Sequence, residues 1–211
     1  RLSRTIQCFL AEIGIDRCSF YLHDYGGPVG FRTFLAKPER LQALIIQNAN
    51  AYDEGLGAKW AAIRDYWEAP ALHTDVAEAF LSLESTQGRH TLGSAHPERY
   101  NPEIWEDESA RLAQPAQRDI QSRLLYDYRT NVASYRAWQN WLRARQPPAL
   151  IVWGRNDPSF VAAGAQAYLR DLPDAELHLL DAGHFALEEQ LDEIALLMLS
   201  VLGKHLGTQG D

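Results

Sequence analysis

The sequence predicts an α/β fold, a mostly parallel sheet flanked by helices, with a helical segment inserted between its strands. Three observations predict it. Short apolar runs rich in β-forming residues stop abruptly at turn residues, at Cys18 to His23, Leu41 to Asn50, Pro147 to Gly154 and Ala175 to Asp181. Helix-like stretches separate the runs. From about Ala51 to Arg145 the character changes, with Trp and Tyr side chains spread over polar, helix-favouring sequence punctuated by Pro70, Pro97, Pro102 and Pro115.

Each element follows in order. The opening "RLSRTIQCFLAEIG" is an amphipathic helix stopped at Gly14, and "CSFYLH" is a buried strand bounded by Asp16 and by Gly26-Gly27. Val29 to Ala36 is helix-like and broken by Pro38, after which "LQALIIQNAN" forms a second buried strand. Strand, helix and strand joined by short turns give a right-handed parallel crossover. Strand signals resume at "PPALIVWG", then a helix-like "FVAAGAQAYLRDL", the strand "AELHLLD" and a closing amphipathic helix from about Ala186 to Leu202. The expected division is residues 1–50 as the first part of an α/β core, 51–145 as a helical cap, and 146–211 as the second part of the core, its final "GTQGD" a frayed tail.

Composition narrows the function. The 211 residues are 46% hydrophobic, enough for one sizeable core, and carry a formal net charge of -8 with no dense Lys/Arg cluster. Nucleic acid and anionic membrane both need a basic footprint, so neither is the expected partner and small neutral organic molecules remain. Cys8 and Cys18 stand apart from any CxxC or Cys/His cluster and read as reduced core thiols, so no metal or other cofactor is expected. No stretch approaches about 18 unbroken apolar residues, and the expectation is a soluble, cytoplasmic protein; a homodimer is left open.

Three side chains stand just past the ends of strands, where open α/β sheets place their ligand crevice: Asp24 after "FYLH", Asp157 after "LIVWGRN" and His184 after "LHLLDAG". Their order along the chain is the nucleophile, acid and base order of the α/β-hydrolase fold, with Asp24 where Ser usually stands. A side chain raised on a strained strand-to-helix elbow needs small neighbours, which Gly26 and Gly27 supply, although Leu22 two residues earlier is larger than the usual residue there. A helix N-terminus aimed at Asp24 favours its ionised form.

The blocks "YLHDYGGPVGFRTFLAKPERLQALIIQNA", "LIVWGRNDP" and "LLDAGHFALEE" resemble those of the epoxide hydrolase and haloalkane dehalogenase branch of the α/β-hydrolase superfamily. The resemblance implies two steps: Asp24 attacks a substrate carbon to form an ester, and His184, oriented by Asp157, activates water to hydrolyse it. It also implies that the backbone N–H of Tyr25 is an oxyanion donor.

Leaving-group stabilisation separates the two activities. Epoxide hydrolases of this kind use a pair of cap tyrosines; "RDYWEAP" and "NVASYRAWQNW" resemble the segments that hold them, which nominates Tyr66 and Tyr135, with Tyr126 and Tyr128 in reserve. Dehalogenases commonly use a Trp directly after the nucleophile, where this chain has Tyr25, and Trp67, Trp105 or Trp138 are the alternative halide donors. Epoxide hydrolysis is therefore expected ahead of dehalogenation, and a non-catalytic ligand-binding role is the third alternative. The family's His-Gly-x-Pro loop and first strands precede the elbow in relatives and find no match, so a chain lacking its N-terminal third is expected.

Overall fold

The computed structural model describes residues 1–206; the tail expected to fray, 207–211, lies outside them. Helix α1 (Leu2–Glu12) leads into strand β1 (Cys18–His23), helix α2 (Gly26–Ala36) and strand β2 (Leu41–Gln47). Six α-helices follow before the next strand: α3 (Trp60–Glu68), α4 (Thr74–Phe80), α5 (Leu83–Thr91), α6 (Glu103–Leu112), α7 (Pro115–Asp127) and α8 (Arg129–Arg145). Strand β3 (Ala149–Gly154), α9 (Ala162–Ala167), β4 (Glu176–Leu180), α10 (Ala186–Glu189) and α11 (Leu191–Leu206) follow, to the end of the described residues.

The four strands lie side by side in sequence order, every neighbouring pair parallel. Because a parallel sheet is covered on both faces, its strands are apolar throughout and alternate side chains serve different cores. Leu44, Ile46, Ile151 and Trp153 face one way and join Phe31 and Phe34 of α2 and Trp138 and Leu142 of α8. Ile45, Leu150 and Val152 face the other way and join Ile194 and Val201 of α11. In the first core Phe31 stacks on Trp138 with ring centroids 4.8 Å apart and planes 4° from parallel, which ties α8, the last helix of the inserted segment, to α2, the helix that follows the first strand.

The structure corrects the sequence reading at four places. The second strand ends at Gln47, not Asn50, because Asn48 takes a left-handed φ of 42° that breaks the extended backbone. The helix after β3 is short, closing into a 3₁₀ turn over Tyr168–Arg170. The closing helix is two, α10 and α11. Cys8, read as a core thiol, is exposed on α1, while Cys18 is partly buried; both are free. Among the described residues no helix is long and apolar enough to cross a membrane.

Candidate active site

Parallel strands all end at the same edge, and each of the four delivers a polar side chain there: Asp24, Asn48, Asp157 and His184. Asp24 follows β1 with φ 44°, a left-handed backbone that is costly for a residue with a Cβ and is held in place by its surroundings. The turn hydrogen bond from Gly27 N–H to the Asp24 carbonyl, 3.0 Å, starts α2 at once. Gly27 is needed, since a Cβ there would lie 2.9 Å from Cβ of Ala49; Gly26 faces open space, so only one of the two expected glycines makes room for the elbow.

Asp157, Asn48 and His184 come together beneath this elbow. His184 Nδ1 lies 2.6 Å from Asp157 Oδ2, and His184 Nε2 lies 3.5 Å from Asp24 Oδ2, so the imidazole spans the two carboxylates. Asn48 fixes the acid from the neighbouring strand end: its Nδ2 donates to Asp157 Oδ2 at 2.9 Å, and its Oδ1 accepts the Gly154 N–H at 2.9 Å. The Ser159 N–H donates to Asp157 Oδ1 at 2.7 Å. Asp157 is thereby surrounded by donors.

The charges follow from these contacts. Burial alone would raise the Asp157 pKa, but the His184 charge and hydrogen bond, together with the Ser159 and Asn48 donors, hold it below the usual carboxylate value. Burial likewise opposes ionisation of Asp24 and is outweighed, chiefly by the His184 hydrogen bond and charge. For His184 burial disfavours the cation, yet Asp157 first and Asp24 second raise its pKa to about 9. At neutral pH the three form an anion, cation, anion chain. His23, whose Nε2 is 3.1 Å from the His184 carbonyl oxygen, has its pKa lowered by burial and by the His184 charge.

Asp24 and His184 open onto a tight cavity of about 30 Å³, room for a water molecule or so, and Asp24 also borders a second cavity of about 170 Å³ that shares Tyr25, Phe80 and Arg89 with the first. The walls of the first carry Trp60, Phe80, Leu125 and Phe160, with Tyr25 and Tyr128 as phenols and Lys59 and Arg89 as cations. Neither Tyr135 nor Tyr66 lines this space. Tyr135 is buried behind it, its hydroxyl accepting from Asn50 Nδ2 at 3.2 Å, and Tyr66 packs edge-on against Tyr126. Of the four tyrosines nominated from the cap, Tyr128 is the one on the cavity wall. It is 2% exposed, its hydroxyl neighbours that of Tyr135, and burial first and Tyr135 second drive its pKa well above the phenol value, so it keeps its proton.

None of the three nominated Trp side chains, Trp67, Trp105 and Trp138, lines the cavity, and the Trp67 N–H is already committed to the Leu125 carbonyl at 2.8 Å. The Trp that does line it, Trp60, donates its indole N–H to the Ser159 carbonyl, also at 2.8 Å. Sequence reasoning missed Asn48, Ser159, Lys59 and Arg89. The polar "QNAN" closing an apolar strand was the available signal for Asn48; Lys59 and Arg89 sit in helical sequence where exposed cations are the ordinary expectation.

Comparison with known proteins agrees with this architecture. The family model described as the alpha/beta hydrolase fold matches residues 1–191. An uncharacterized hydrolase of Saccharomyces cerevisiae, YNR064C, is 33% identical over 209 residues, which are 97% of this chain and 72% of that protein. Among solved structures, the meta-cleavage product hydrolase CumD of Pseudomonas fluorescens superposes with a TM-score of 0.70 at 16% identity, over 93% of this chain and 68% of that one. A variant of the haloalkane dehalogenase DatA of Agrobacterium tumefaciens gives 0.71 at 17%, over 94% and 71%. At these identities the two structures testify to the fold alone.

Proposed function

We infer the reaction from one premise: this chain belongs to the alpha/beta hydrolase fold family. It is a hydrolase of that fold. We propose that it opens epoxides through an ester on Asp24, with the helices of residues 51–145 as a cap over the site and a neutral, largely apolar organic molecule as substrate.

In the first step the Asp24 carboxylate, already ionised, bonds to an epoxide carbon while the carbon–oxygen bond breaks and its electron pair stays on oxygen. The Tyr128 hydroxyl donates its proton to that oxygen, a stronger base than a phenolate. In the second step His184 Nε2 takes a proton from water, whose oxygen attacks the ester carbonyl; the Tyr25 N–H faces the developing oxyanion. Collapse expels the product hydroxyl, protonated by His184, and the carboxylic acid left on Asp24 returns its proton to Tyr128. One water is consumed and a diol released.

The His184 pKa couples the steps. Its rise to about 9 rests on both carboxylates, so esterification of Asp24 removes that residue's hydrogen-bond and charge contributions and drops the pKa. The imidazolium then loses its Nε2 proton to solvent and becomes a base when one is needed, and it is reprotonated from solvent once Asp24 regains its charge.

The observation that carries the epoxide reading over the halide one is Tyr128, a protonated phenol on the wall shared with Asp24, where none of the nominated Trp side chains stands and the one Trp present, Trp60, has its N–H committed to a carbonyl. Incubation with a styrene-type epoxide and with a bromoalkane, following diol and bromide, tests it: diol without bromide is expected, bromide alone reverses the choice, and neither product refutes hydrolysis of both classes. In His184→Gln a substrate mass added at Asp24 accumulates, and it is missing in Asp24→Asn.

A further inference from the structure

Two cations share the cavity wall with Asp24, and they are not equivalent. The Arg89 guanidinium is consumed: Nη1 donates to the Phe80 carbonyl at 2.9 Å, and Nη2 donates to Thr86 Oγ1 at 3.0 Å and to Glu108 Oε1 at 2.5 Å. It anchors α5 and is paired with its own carboxylate. Lys59 has no carboxylate partner among the described residues. Its ammonium donates one hydrogen bond, to Ser159 Oγ at 2.5 Å, and keeps two N–H groups to spare.

The position of Lys59 is set by the loop that carries the acid. Gly57 N–H donates to the Ser159 carbonyl at 3.0 Å, the Trp60 indole donates to the same oxygen, and Leu56 bridges Phe160. The two backbones lie so close that a Cβ at Gly57 would fall 2.3 Å from the Pro158 carbonyl oxygen. Ser159 in turn donates its N–H to Asp157. Lys59 is therefore stapled to the same loop, between β3 and α9, that orients His184. The residue as a whole is exposed, yet its ammonium reaches the cavity wall, where burial lowers its pKa against the pull of Asp157 and Asp24.

Charge balance indicates what this cation is for. Around the site Asp24, Asp157 and Glu108 are met by His184, Lys59 and Arg89, so no surplus positive charge is left to attract an anionic substrate. Attack by Asp24 moves its negative charge, through the breaking bond, to the leaving atom. A neutral residue at 59 would leave that charge without a counter-ion on the cap side of the cavity.

We propose that the Lys59 ammonium is a catalytic residue of the first step, donating an N–H to the leaving oxygen and balancing the charge that departs from Asp24. It acts beside Tyr128, which supplies the proton, and the inference rests on Asp24 being the nucleophile. In the second step Asp24 regains its charge, so Lys59 is not required to speed ester hydrolysis.

The two steps are read separately by rapid-quench mass spectrometry. Ester formation on the full chain is timed in the His184→Gln background with and without Lys59→Met, and ester breakdown in the otherwise unaltered enzyme with the same Lys59→Met change. Loss of one preorganised donor slows ester formation on the order of 100-fold, with breakdown nearly unchanged, and Lys59→Arg restores most of the rate. Equal slowing of both steps, or failure of Arg to restore a folded Met variant, assigns Lys59 to holding the loop and overturns the proposal. An unchanged rate of ester formation overturns it while leaving Asp24 as nucleophile. Absence of any adduct in His184→Gln alone refutes the Asp24 reading, and this one falls with it.

Discussion

His184→Gln has a stability consequence that can be worked out from the site. Burial opposes the His184 cation, but Asp157 and Asp24 together raise its pKa from 6.5 to about 9. At ~1.4 kcal/mol for each tenfold change in proton affinity, that corresponds to on the order of 3 kcal/mol. The folded pKa is the higher one, so the contribution is fully present below 6.5 and is lost as pH rises through about 9. Few other groups interfere there, because the lowered His23 pKa acts below its ordinary value of 6.5 and exposed phenols titrate near 10. Urea unfolding followed by Trp fluorescence, at intervals from pH 6 to 9, measures it. The wild-type free energy falls by roughly 3 kcal/mol relative to the Gln variant, whose profile stays flat. Parallel profiles for the two proteins would refute the carboxylate, imidazolium, carboxylate chain at neutral pH.

Two further outcomes are expected. Gly27→Ala forces a Cβ to 2.9 Å from Ala49 and lowers stability by about 1–3 kcal/mol, whereas Gly26→Ala meets open space and costs less than ~1 kcal/mol; equal losses in thermal melts would show that the elbow does not depend on that close approach. Tyr128→Phe removes a buried hydroxyl whose neighbour is the Tyr135 hydroxyl, so stability changes by no more than about 1.5 kcal/mol while diol formation drops on the order of 100-fold; unimpaired turnover in the folded variant would remove Tyr128 from the proposed role.

The fold was largely legible because its signals are local. A strand buried on both faces must be an unbroken apolar run, so "LQALII" and "ALIVW" announce themselves, and residues directly past such runs sit at the sheet's edge whatever the remainder of the chain does. The same logic put Asp24, Asp157 and His184 within reach of one another. It faltered at Asn48, where one left-handed residue ends a strand three residues early, and that deviation aims the Asn48 side chain at Asp157.

What the sequence could not decide was which of the inserted segment's tyrosines lines the cavity beside Asp24. The inserted helices carry aromatics on several faces, and a phenol at Tyr66, Tyr126, Tyr128 or Tyr135 looks the same in one dimension. Only packing separates them: Tyr135 turns to Asn50, Tyr66 to Tyr126, and Tyr128 to the cavity. Lys59 was silent for the same reason, its place fixed by hydrogen bonds to a loop 100 residues away. The sequence by itself determined the sheet, the elbow and the carboxylate–imidazole–carboxylate set, because strand patterning and strand-end position depend on neighbours along the chain. Tertiary structure alone decided the donors facing Asp24, because which face of a helix meets a cavity depends on contacts distant in sequence.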